Sequence, residues 1–339
     1  TRVQQAGPIA LQRGVDADGT LRAPSVFGWA IAANPFGEAW SGRGRLGEMR
    51  LDTGAVQLTQ VDLTFPAEVP WVIGRAYSCR QEKWNSGTSA FVHHDSNGYQ
   101  GKNWFQLSQP ELLFTPGGTA SDDRVYIVYG PDRFVEFKRT GLSDNTFRAM
   151  NGAAGIMEYV AGTLNTYVLH DQRGNTVTFF GGNNNAADWQ LWKIVNANSD
   201  VAYVGSLTVA DAVTYGFDGN GRIILAFDSS GRRYSYDYTS GRLDWVKAET
   251  LISSTWTEVG RVDYLYHSGS DATGSAGDLK RVTITTPLSP STVSLTQERY
   301  YRYYKTPEED PALGYPHQIK LEMAFEGTRN FDYSGDYTF

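Results

Sequence analysis

The sequence has little cysteine, histidine or methionine: one Cys, five His and four Met in 339 residues. The single Cys79 cannot close a disulfide within the chain, which excludes a small disulfide-stapled scaffold, and it cannot build a thiolate zinc site alone. No run of about 18 apolar residues occurs, so no segment reads as a membrane-spanning helix. Neither sign of charge dominates: 30 Lys and Arg stand against 37 Asp and Glu, a formal net charge of −7. Phosphate binding needs a basic face, so nucleic acid is not an expected partner. Gly-x-Ser-x-Gly, P-loop and dinucleotide motifs are missing, and Gly152-Ala153-Ala154-Gly155 lacks the strand-to-helix context of a phosphate loop. The chain opens Thr1-Arg2-Val3-Gln4-Gln5. With neither an initiator methionine nor a signal peptide, it reads as a piece of a longer precursor or a processed product.

Glycine and aromatics are abundant: 36 Gly, 20 Tyr, 16 Phe and 9 Trp. That pairing suits many short strands joined by tight turns. Residues 1–50 read as an irregular arm, broken by Pro8, Pro24 and Pro35. Residues 51–200 read as a β-rich region, with strands at 55–63, 71–77 and 101–107 and hairpins at 125–138 and 166–180. Around Ala186–Val195 a weak helical stripe competes with alternation, and the strand is preferred. Residues 201–339 read as a repeat region ending in Tyr-rich hairpins. The expected fold is all-β, with antiparallel hairpins stacked into an extended or curling strip.

The repeat is aromatic-Asp-x-x-Gly-Arg. It occurs at Phe217-Asp218 with Gly221-Arg222, at Phe227-Asp228 with Gly231-Arg232, and at Tyr236-Asp237 with Gly241-Arg242. Asp bonds its own backbone two residues on and Gly supplies a positive φ, so Asp-x-x-Gly closes a turn. The aromatic is expected to pack on its equivalent across the ladder. The third copy carries one extra residue, which a bulge or a longer turn would absorb. Tyr234, Tyr236 and Tyr238 fall on one strand face, as do Tyr301 and Tyr303, and read as ladder packing.

These units resemble the YD (tyrosine-aspartate) repeat of bacterial RHS proteins, which is similar to that of animal teneurins. Val61-Asp62-Leu63-Thr64-Phe65-Pro66, Gly74-Arg75-Ala76-Tyr77-Ser78-Cys79-Arg80 and Gly101-Lys102-Asn103-Trp104 resemble the segment that opens RHS repeat regions. Tyr300-Tyr301-Arg302-Tyr303-Tyr304 and Gly314-Tyr315-Pro316-His317 resemble a later segment. The likeness spans about residues 50–320. It implies a strip that spirals into a hollow shell, often around a C-terminal toxin released by self-cleavage. This chain departs from that pattern in its few clear repeats and in ending at Asp336-Tyr337-Thr338-Phe339 without a toxin-like domain. Asp310-Pro311 lacks the flanking pattern of the self-cleavage segment and reads as a turn.

Other clusters read as plain surface. His93 and His94 are adjacent and on a strand would point to opposite faces, so His93-His94-Asp95 is a poor metal site. Ser268, Asp271, Ser275 and Asp278 lie in a Gly-rich loop without calcium-loop spacing. Glu308-Glu309-Asp310 has no assignable carboxylate partner for glycoside hydrolysis.

The expected role is therefore structural: a secreted or cell-surface RHS-like segment, non-catalytic, with no cofactor or metal. It would serve either as a wall segment of a toxin-enclosing shell or as a unit polymerising into filaments. Expected partners are other copies, joined through strand edges, or the rest of a larger polypeptide. The alternatives from other classes are a carbohydrate-binding adhesion module using Trp and Tyr, and a glycosidase.

Overall fold

The computed structural model describes residues 45–46, 49–50, 57–78, 82–85, 90–93, 99–130, 133–141, 144–150, 155–182, 185–287, 294–305 and 319–327. Two pairs of short strands form separate two-stranded sheets: β1 (Arg45–Leu46) with β2 (Met49–Arg50), and β5 (Glu82–Asn85) with β6 (Ala90–His93). A three-stranded antiparallel sheet is made of β3 (Gln57–Leu63), β4 (Ile73–Ser78) and β7 (Trp104–Gln106), with β4 central. Everything after it forms one sixteen-stranded antiparallel sheet in which chain neighbours are sheet neighbours.

Its first half is β8 (Glu111–Thr115), β9 (Arg124–Gly130), β10 (Arg133–Arg139), β11 (Thr146–Ala149), β12 (Ile156–Val160), β13 (Thr166–His170), β14 (Thr176–Phe180) and β15 (Leu191–Val195). The second half is β16 (Val201–Val204), β17 (Leu225–Phe227), β18 (Arg233–Thr239), β19 (Arg242–Ile252), β20 (Thr255–Tyr266), β21 (Leu279–Pro287), β22 (Ser294–Tyr303) and β23 (Ile319–Gly327). The fold is thus an all-β strip, not closed into a barrel. Of the expected arm at 1–50, only the β1–β2 hairpin lies within the described residues. Residue 200 sits in the turn between β15 and β16, inside the continuous sheet.

Alternation explains the sheet's two faces. Phe147, Met157, Leu169, Val177, Ile194 and Ala202 follow one another in cross-strand register, and all are buried. They form one row of the inner face, where each side chain meets the next strand's at close range. The strip curls so that its first strand returns toward β15. Glu111 bridges to Gln190, and the Leu112 N–H donates to the Trp189 carbonyl at 2.9 Å.

One helix differs from expectation. The weak stripe at 186–195 resolves into a turn followed by β15, while an eight-residue helix, α1 (Val209–Gly216), interrupts the meander between β16 and β17. Val209, Ala212, Val213 and Gly216 sit at helical spacing and face the core. The junction depends on two glycines. A Cβ on Gly205, which has φ +65°, would lie 2.6 Å from the Gly216 nitrogen.

Candidate functional site

The candidate site is the surface where the three-stranded sheet lies against β17–β23. Trp71 and Trp104 are fully buried there. The Trp71 indole N–H donates to the Tyr236 hydroxyl at 2.6 Å, and that hydroxyl donates on to Ser108 Oγ at 3.2 Å. The Trp104 indole N–H donates to the Tyr303 hydroxyl at 2.9 Å. Each indole therefore buries a large apolar area, worth about 4–6 kcal/mol before entropy, while its one polar atom is satisfied. The backbone joins as well. Ser229 N–H donates to the Val69 carbonyl at 3.1 Å, and Leu243 N–H donates to the Tyr99 carbonyl at 2.6 Å.

At the centre lies a buried polar relay. The Arg75 guanidinium is fully buried on β4 and ion-paired with Asp62 of β3. Arg75 Nη2 also donates to the Tyr301 hydroxyl at 2.6 Å. Tyr301 in turn donates to Glu322 Oε1 at 3.1 Å, and Tyr264 donates to the second Asp62 oxygen at 3.1 Å. Gln60 and Arg299 donate to the same Glu322 oxygen at 3.4 and 3.3 Å. The guanidinium carbon lies 5.1 Å from the Trp104 ring centre and 5.4 Å from that of Tyr301. Five strands, β3, β4, β20, β22 and β23, are tied through one cation.

The electrostatics fix these groups' charge states. Burial alone would pull the Arg75 guanidinium down, but Asp62 and the phenols outweigh it and hold it above its ordinary value. Burial pushes the Tyr301 hydroxyl up to about 12 even though Arg75 opposes the shift. Tyr264 and Tyr303 are raised well above the usual phenol value, chiefly by burial. Near neutral pH the guanidinium is charged and the phenols stay protonated. Such a relay holds geometry; its members are not poised to exchange protons.

The repeat residues form turns. Asp218 Oδ1 accepts from the N–H groups of Asn220 (2.9 Å) and Arg222 (3.0 Å), its Oδ2 takes Arg222 Nε (2.6 Å), and Gly221 has φ +76°. Asp228, Ser230, Gly231 and Arg232 repeat the arrangement, and Tyr234 adds a bond of 3.1 Å to Asp228 Oδ2. The third unit differs. Asp237 is exposed in mid-strand opposite Trp245, with a register shift beside it, and the turn is made by Ser240 and Gly241 at positive φ. Arg242 there lies over the Tyr266 ring at 5.1 Å.

The same turn occurs at two places without Gly-Arg. Asp171 binds the N–H groups of Arg173 and Asn175 and the Asn175 amide, and Asn196 binds the N–H groups of Asn198 and Asp200 and the Asp200 carboxylate. A search for Asp or Asn with a polar residue four positions on finds all four turns.

The aromatic positions need one correction. Phe227 stacks on Tyr203 across the ladder, centroids 5.0 Å apart, and Phe217 meets Phe180 edge-on at 5.9 Å. Neither packs on its repeat equivalent, because the register sets Phe217 opposite Ile223 and Phe227 between Tyr203 and Arg233. Tyr234 and Tyr236 are buried on the inner face, and Tyr238 is half-buried, donating to the Ile223 carbonyl at 3.0 Å.

Among the described residues no three His, Cys, Asp or Glu side chains gather as a metal site, and no helix is long and apolar enough to cross a membrane. His94, Asp95 and Glu308-Glu309-Asp310-Pro311 lie outside the described residues. In the 267–278 loop the carboxylates are taken by the protein's own donors. Asp271 accepts from the Ser268 N–H (2.5 Å) and Lys280 Nζ (3.1 Å), and Asp278 accepts from the Ser275 N–H (2.8 Å). Burial would raise the Asp271 carboxyl, but these donors outweigh it and hold it down to about 2. No protein family model and no characterised protein matches the chain.

Proposed function

We propose that the chain is a structural, non-catalytic β-module of the RHS or YD-repeat kind, a wall or building segment of a secreted or surface-exposed assembly. One observation carries this reading. The chemistry-bearing side chains at its centre, Asp62, Arg75, Tyr264, Tyr301 and Glu322, bind one another and join the three-stranded sheet to the strip. A buried ion pair adds little stability over a well-packed apolar pair, but it penalises any misplaced partner. Its use here is to fix how the two sheets dock. The inner face of β17–β23 is occupied by that docked sheet, so this segment supports a filled part of a wall better than a stretch lining a hollow.

The adhesion reading has less behind it. On the outer face Tyr203 stacks on Phe227 at 21° between planes, and Arg233 covers Trp256 at 4.4 Å. The faces of these three rings are engaged by neighbours.

Electron microscopy of the native material tests the proposal. The chain is expected as a rigid element within a larger β-assembly, inert toward a broad glycan panel. Glycan hydrolysis, or tight binding of one glycan by an isolated monomer, would overturn it.

A further inference from the structure

The three Gly-Arg turns share a second feature: each holds a segment of the region 65–109 where that segment crosses the strip. At the first turn the buried Gln109 amide spans the loop. Its Nε2 donates to the Gly221 carbonyl at 2.9 Å, and its Oε1 accepts from the Ile223 N–H at 3.5 Å. At the second, Ser229 and Val69 exchange two bonds, Ser229 N–H to the Val69 carbonyl at 3.1 Å and Val69 N–H to Ser229 Oγ at 2.9 Å. Arg232 Nη2 donates to the Pro66 carbonyl at 3.0 Å, with the guanidinium carbon 5.3 Å from the Phe65 ring centre, while Nη1 keeps the ion pair with Asp228 at 2.7 Å. At the third, the Tyr99 carbonyl takes the Leu243 N–H at 2.6 Å and the Tyr266 hydroxyl at 3.0 Å, and Arg242 lies over the Tyr266 ring.

The Asp171 and Asn196 turns show what closure alone requires. Gly174 and Ser199 supply the positive φ, and Asn175 and Asp200 stand where the repeat has Arg. Their bonds run within each turn and from one turn to the other, where Asn175 Oδ1 accepts the Ala197 N–H at 3.1 Å. A turn of this kind therefore closes without arginine. At Asp228 the carboxylate likewise holds the N–H groups of Ser230 and Arg232 by itself, at 2.9 and 3.0 Å.

We propose that the aromatic-Asp-x-x-Gly-Arg turn is a chain-docking element: Asp and Gly close the turn, and the residues around the Gly-Arg pair bind the backbone of a passing segment. The proposal rests on the structural reading above and names the turns' partner, the connections that carry the three-stranded sheet. At the second turn the occupant is the strap Phe65-Pro66-Ala67-Glu68-Val69, and Arg232 is its positioning residue. The planar guanidinium fork faces Asp228 with one nitrogen and Pro66 with another, which the point charge of a lysine does not reproduce. Pro66 and Pro70 restrict the strap before it docks, so less chain entropy is lost on binding.

The test is hydrogen exchange at single-residue resolution on the full chain, comparing wild type with Arg232→Lys and Ser229→Ala. Arg232→Lys keeps a cation for Asp228. It is expected to speed exchange of the Val69 and Ser229 amides at least tenfold, although neither touches the Arg232 side chain, because the strap lifts as a piece. The amides of positions 230 and 232, bound to Asp228, are expected to stay within twofold. Ser229→Ala leaves every Asp228 bond in place and is expected to speed the amides of Val69 and position 229 in the same way. Unchanged exchange at Val69 in both variants would overturn the proposal. So would equal acceleration at positions 230 and 232, because Arg232 would then serve its own hairpin. Neither result touches the Arg75 relay, so the structural reading still stands or falls by the microscopy and the glycan panel.

Discussion

The Arg75 guanidinium and the Tyr301 hydroxyl lie 2.6 Å apart, although 226 residues separate them in the chain. That bond joins the second strand of the small sheet to the next-to-last strand of the long one. Closing a loop of that length costs entropy that a single hydrogen bond does not offset, so the bond depends on the packing of both sheets around it. The relay around Arg75 therefore reports on docking of the two sheets as a unit.

Arg75→Met leaves Asp62 buried without its cation. The expected cost is about 3–5 kcal/mol, the range for breaking a buried pair from one side. Adding Asp62→Leu is expected to recover a large part of that loss, because the uncompensated charge goes too. Urea unfolding of the two variants checks it. A single-variant loss below about 1 kcal/mol would mean that the relay does not hold the sheets.

The Asp residues of the repeat are expected to differ in weight. Asp228→Ala removes two N–H acceptors, the Arg232 ion pair and the Tyr234 partner, and should cost about 2–3 kcal/mol. Asp237→Ala, exposed in mid-strand, should stay within about 0.5 kcal/mol. Thermal or urea unfolding of both variants compares them. Equal losses would contradict the turn assignment.

Much of this was legible in the sequence, for physical reasons that can be named. Alternation in 125–138 and 166–180 marks β9, β10, β13 and β14, since a half-buried strand must alternate. Asp-x-x-Gly marks two turns because the local hydrogen bonds and the positive φ need no tertiary help. The helix α1 escaped because Val209-Ala210-Asp211-Ala212-Val213 is short and weakly apolar, and the Gly205–Gly216 contact that seats it is tertiary. The relay escaped too. Asp62 and Arg75 show only as charges inside apolar strands, a pattern that calls for a buried partner without naming Tyr264 or Tyr301. The third repeat misled because Gly241 still makes a turn while Asp237, one residue further from it than in the other copies, sits in the strand.

Alkaline pH should unfold the protein cooperatively. Tyr99 and Tyr301 are pushed up to about 12 by burial, and Tyr234, Tyr236, Tyr264 and Tyr303 rise further. Folded-state values above the unfolded ones mean that the stabilisation is complete below the unfolded phenol value, near 10, and is lost as pH rises beyond it. Phenolate absorbance near 295 nm should therefore rise late and in step with the loss of circular dichroism. Smooth titration of all 20 tyrosines at the ordinary value would contradict this.

Acid should loosen the 267–278 loop first. Asp271 is held down to about 2, so its contribution is complete above the unfolded carboxylate value of 3.8 and is lost as pH falls through 2. Asp271→Asn should mimic the acid state at neutral pH. Limited proteolysis of the loop checks it: cutting is expected in the variant at pH 7 and in the wild type only near pH 2.

The most direct measurement of the central claim, that the small sheet is built into the strip as one structural unit, is native-state hydrogen exchange. The amides of β4 and β7 are expected to exchange with the same free energy as those of β20–β22, and Arg75→Met should lower both together. Fast exchange in β4 and β7 with β20–β22 still protected would contradict the claim, because it would make the small sheet a separate body resting on a strip that stands without it.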